Sequence, residues 1–62
     1  MTTETQKTDA ELRAMSLEEL EDLDDAVIAE QKSFRRADEP SRFESLSAYI
    51  RRIEDIIFAI TG

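Results

Sequence analysis

Cysteine, histidine and tryptophan are absent from this chain, and its single glycine is the last residue. Without cysteine there is no disulfide, and without cysteine or histidine the usual zinc ligands are missing. The same gap removes the common nucleophile–base pairs of hydrolases, since the serines have no imidazole to activate them. A phosphate-cradling loop needs internal glycines, and there are none. Paired carboxylates remain as acid–base candidates, but they need an apolar cleft that a chain this small does not obviously build. The sequence therefore reads as non-enzymatic, with no cofactor and no metal.

Long hydrophobic runs are also missing. The longest, Ile56–Ile60, falls far short of a membrane span, and Met1–Ala10 is polar throughout, unlike a signal peptide. These features fit a cytoplasmic or intravirion setting. With 62 residues, one core supplies no more than about 3–5 kcal/mol, and the usual staples are absent. Oligomerisation, or docking into something larger, is what remains.

What is present is helix-forming and charged. Residues 1–30 carry ten acids against Lys7 and Arg13, a net −8, whereas residues 31–62 carry six bases against five acids, a net +1. An acidic first half disfavours nucleic acid and anionic membranes as partners and suits a basic one.

Thr8 with Glu11, Ser16 with Glu19 and Ser41 with Glu44 each fit the S/T-x-x-E capping box. Met1–Lys7 reads as a disordered tail, and residues 8–62 as a single domain. The first box opens a short turn or helix, Asp9–Met15. The second opens a main helix over 17–36, and the third a helix over 41–61. Between them, Ala37–Ser41 holds the only strong breaker, Pro40, which pushes Glu39 out of the α region. A break this short favours an antiparallel hairpin. The alternative is a short β-hairpin pairing Lys32–Arg36 with Ser41–Glu44, which lacks Gly or Asn for its turn.

The strongest pattern lies at the C-terminal end. Phe43, Leu46, Ile50, Ile53, Ile57 and Ile60 follow one another by three and four residues, and Tyr49 and Ile56 widen the stripe. Phe58 lies off it, so the final turns are apolar nearly all round. A two-helix hairpin covers only part of such a surface, so Phe43, Leu46, Tyr49, Ile50, Ile53, Ile56, Ile57, Phe58 and Ile60 are expected to form an intermolecular interface. On the first helix, Leu17, Leu20, Leu23, Val27, Ile28 and Phe34 are the expected hairpin core.

Two charged clusters complete the reading. Glu18, Glu19, Glu21, Asp22, Asp24 and Asp25 form a solvated face near a helix start, or the dock by which an acidic inhibitor or nucleic-acid mimic binds a basic partner. They lack the spacing of a calcium loop. Lys32, Arg35, Arg36 and Arg42 gather at the turn, where cations complement the end of a helix dipole. RNA contact is the rival reading.

Across Leu20–Ile53 the chain resembles the small phage head–tail joining proteins of the gpW-like type. Leu20, Leu23, Ala26, Val27, Phe34, Arg35, Arg42, Phe43, Ser45 and Leu46 carry that likeness. It implies a virion component joining portal and tail as a ring. In length, acidity and helix–turn–helix layout the chain is also similar to Rop-like plasmid copy-number regulators, with Ala37-Asp38-Glu39 at the turn. That likeness implies a dimeric four-helix bundle and RNA-loop binding, although the first helix here is acidic. The combined expectation is an all-α antiparallel hairpin that assembles as a homo-oligomer, a dimer by default, or as a subunit of a larger complex. No membrane and no small-molecule substrate enter this reading.

Overall fold

A computed structural model describes residues 6–62, so the expected tail lies mostly outside the described residues. The chain is all-α there, with α1 at Asp9–Arg13, α2 at Leu17–Lys32 and α3 at Pro40–Thr61. Among the described residues there is no strand, and the β-hairpin alternative is not formed.

Local chemistry explains where the first two helices begin. Thr8 Oγ1 accepts from the Glu11 N–H at 3.2 Å, and the Glu11 carboxylate accepts from the Thr8 N–H at 2.8 Å. Ser16 and Glu19 repeat the exchange at 3.2 and 3.0 Å. Each box satisfies helix-terminal N–H groups that have no carbonyl partner within the helix. Because Ser16 starts a new helix, α1 closes early: the Ala14 and Met15 N–H groups bond back to Ala10, Glu11 and Leu12 carbonyls. It therefore ends at Arg13 rather than Met15, and the two helices stay separate.

The other two expected boundaries are corrected. The helix predicted to reach Arg36 stops at Lys32. Both the N–H and the hydroxyl of Ser33 donate to the Glu30 carbonyl, at 3.0 and 2.6 Å, tightening the last turn into an i→i−3 closure. The third capping box does not form. Helix α3 begins at Pro40, whose fixed φ and missing N–H suit the first helical position. Ser41 consequently lies inside the first turn. Glu39 occupies the cap position and makes no side-chain cap bond.

Helix α3 has 22 residues, about 33 Å at 1.5 Å per residue, and sets the 35 Å long dimension. Helix α2 lies against it with contacts in opposite order. Gln31 reaches the Phe43 carbonyl at 3.1 Å and the Ser47 hydroxyl at 2.6 Å, whereas Asp24 faces Glu54 further along. Helix α1 packs on α3 as well. Lys7 N–H donates to Tyr49 Oη at 3.0 Å, and Asp9 pairs with Arg52 at 3.2 Å.

The core is built by all three helices. Leu12, Leu20 and Ile53 are fully buried, joined by Val27, Leu46, Tyr49 and Ile56. Met15, Leu23, Phe34, Ile50 and Ile57 pack around them. Burying one such side chain contributes about 1.5–3 kcal/mol, so Leu12 alone justifies a five-residue helix that has little stability of its own.

Candidate functional site

The expected interface stripe is divided by the fold. Leu46, Tyr49, Ile53 and Ile56 are buried inside the chain, while Phe43, Ile50 and Ile57 are half-buried. Among the described residues only Phe58, 72 % exposed, and Ile60, 51 % exposed, face solvent as large apolar side chains. The physical reason is α1. This third helix packs on α3 and brings the fully buried Leu12 into one core with Leu46, Tyr49, Ile53 and Ile56. Leu12 and Met15 are therefore core residues that the sequence reading left out. Their three-residue spacing was the available signal.

The expected hairpin core is divided similarly. Leu20 and Val27 are buried, and Leu23 and Phe34 pack against the core. Leu17 and Ile28 are half-buried at its margin.

At the apolar end of α3, a groove of ≈ 340 Å³ opens between the helix and the end of α1. Ile56, Ala59 and Ile60 line it, with Arg13 reaching in from α1 and Asp55 from α3. A second groove, ≈ 380 Å³, has Leu23, Val27, Leu46 and Tyr49 as its apolar surface, with Glu30 and Arg42 among the residues that line it. Both grooves combine apolar side chains with charged ones of each sign.

The basic cluster is largely occupied by the turn itself. Phe34 and Phe43 meet edge to face, with centroids 6.3 Å apart. Arg42 lies over the Phe34 ring at 4.5 Å and also bonds Glu30 at 2.8 Å and Glu39 at 3.4 Å. Arg36 lies 5.8 Å from the Phe43 centroid and pairs with Glu44 at 3.5 Å. Among the described residues, Lys32 and Arg35 are in no ion pair.

The acidic residues do not act as one group. Glu19 is used by its capping box. Asp24 is half-buried and turned toward Glu54, and its shielded Oδ1 has no hydrogen-bond partner. Burial, then the facing Glu54 carboxylate, push its pKa up to about 6 from 3.8. Glu18, Glu21, Asp22 and Asp25 remain exposed at i, i+3, i+4 and i+7, the spacing of one helix face. Among the described residues none of the four is in an ion pair, and no three potential ligands converge as a metal site.

No helix among the described residues is long and apolar enough to cross a membrane. No family model, curated protein or solved structure matches the chain.

Proposed function

We propose that this chain is a small, non-enzymatic helical interaction module, an α2–α3 antiparallel hairpin steadied by α1, which assembles with further copies of itself through the last turns of α3. The exposure of Phe58 and Ile60 carries the reading. Most of the apolar stripe is satisfied internally, yet its final turns present two large side chains to water, at a cost that covering them would remove. The small core adds weight, since a chain without disulfide or metal gains stability from association.

Light scattering across a concentration series tests this directly. The expected result is a dimer or a higher closed oligomer that dissociates in Phe58→Glu and Ile60→Glu variants of unchanged helicity. A monomer at every concentration removes the self-assembly reading. The resemblance to head–tail joining proteins implies a ring, built by head-to-tail contacts. A two-fold dimer uses one patch twice, so the measured mass separates the two arrangements.

A second reading rests on a different surface. Glu18, Glu21, Asp22 and Asp25 present four carboxylates on one helix face, and none of them is in an ion pair among the described residues. Like charges at i, i+3 and i+4 destabilise a helix, and a basic partner would relieve that repulsion. Salt-sensitive binding of a lysine-rich peptide, lost on changing the four to Gln or Asn, is the expected behaviour. Binding indifferent to those changes removes this reading.

A further inference from the structure

One ion pair leaves two others unmade. Asp9 stands four residues before Arg13 on α1, and Arg52 stands three residues before Asp55 on α3. Each is the natural intrahelical partner of the charge that follows it. Asp9 and Arg52 instead bond each other across the α1–α3 contact at 3.2 Å. Arg13 and Asp55 are left outside the ion pairs of the described residues, although both line the groove whose apolar surface is Ile56, Ala59 and Ile60. The groove thus carries one cation, one anion and an apolar strip with an exposed isoleucine.

We infer that this groove is a two-fold self-docking site, in which a second copy of the chain covers the exposed Ala59 and Ile60 beside the already buried Ile56, while Arg13 of each copy pairs with Asp55 of the other. The groove's charges are complementary to a rotated copy of themselves. In a two-fold contact every pairing occurs twice with the roles exchanged. A surface holding one charge of each sign beside an apolar strip is complementary to itself, and one rotation makes both ion pairs. A purely acidic or purely basic partner would satisfy one of the two charges and repel the other. The inference rests on the self-assembly reading above and specifies its geometry.

Charge reversal tests it with the full chain. Arg13→Asp places Asp opposite Asp at both contacts, and Asp55→Arg places Arg opposite Arg. Each variant alone is expected to self-associate roughly tenfold more weakly or worse. Mixed one to one, they restore both pairs, because every contact then joins an Asp to an Arg. Native mass spectrometry should show the mixed dimer, and the double variant Arg13→Asp/Asp55→Arg should dimerise as wild type does. Circular dichroism checks that each variant keeps its helices, and the double variant decides the matter if a single one loses them.

A wild-type dimer whose mass is unchanged by either reversal, or a double variant that stays monomeric, overturns the groove assignment while leaving assembly through Phe58 intact. A wild-type monomer overturns both.

Discussion

The carboxyl groups of Asp24 and Glu54 face each other across the contact between α2 and α3, with Asp24 Oδ1 shielded and unpartnered. Burial and the neighbouring charge both favour the protonated form of Asp24, which holds its proton up to about pH 6. The folded state therefore binds this proton more tightly than the unfolded chain. Stability consequently falls as pH rises from about 4 through about 6, and the penalty is fully present above that window. Asp24→Asn keeps the shape and removes the charge. It should be more stable than wild type at pH 7 and show a flatter stability profile across the window, measured by urea unfolding. A variant less stable at pH 7, with the slope retained, would show that another group governs it.

Leu12 is fully buried beneath a five-residue helix. Leu12→Ala should cost about 2–5 kcal/mol, the range for truncating a large buried aliphatic side chain. In a domain this small that is most of the folding free energy, so thermal unfolding should begin near room temperature. A loss below about 0.5 kcal/mol, the range of surface changes, would mean that α1 is not part of the core.

Ser16 and Ser41 look alike in sequence but differ in the structure. Ser16 accepts the Glu19 N–H, whereas Ser41 follows Pro40 inside the first turn of α3. Ser16→Ala should destabilise by about 1 kcal/mol, while Ser41→Ala should stay within about 0.5 kcal/mol. Denaturant titration of the two variants side by side reads the difference. Equal effects would contradict the Pro40 start.

Arg42 combines a stacking contact on Phe34 with hydrogen bonds to Glu30 and Glu39. The site is half exposed, so its ion pairs contribute little and the stacking counts in proportion. A double-mutant cycle with Arg42→Ala and Phe34→Leu should give a coupling of about 0.5–1 kcal/mol. Additive effects would reduce the contact to proximity.

Legibility in the sequence followed the range of the interactions. The Thr8 and Ser16 boxes were readable because both partners lie within four residues and the backbone geometry between them is set by the helix itself. The Ser41 box had the same letters and failed, since Pro40 competes for the start of the same helix. The end of α2 was not readable. Ser33 closes it and Phe34 turns to meet Phe43, and no local rule specifies that distant aromatic partner. The candidate surfaces divide in the same way. An apolar stripe was visible at its 3.5-residue period, but its owner was not.

The sequence alone determined an all-α chain, two of its three helix starts, the charge asymmetry and the positions of the apolar stripe. These follow from backbone hydrogen bonding, side-chain caps and periodicity, all acting within a turn or two of helix. Tertiary structure decided that α1 folds back onto α3, that Leu46, Tyr49, Ile53 and Ile56 belong to the chain's own core, and that Phe58 and Ile60 remain outside. Burial is a property of what lies opposite. A residue's hydrophobicity says that it seeks cover, and only the gathering of Leu12, Leu20, Ile53 and their neighbours into one core says where that cover comes from.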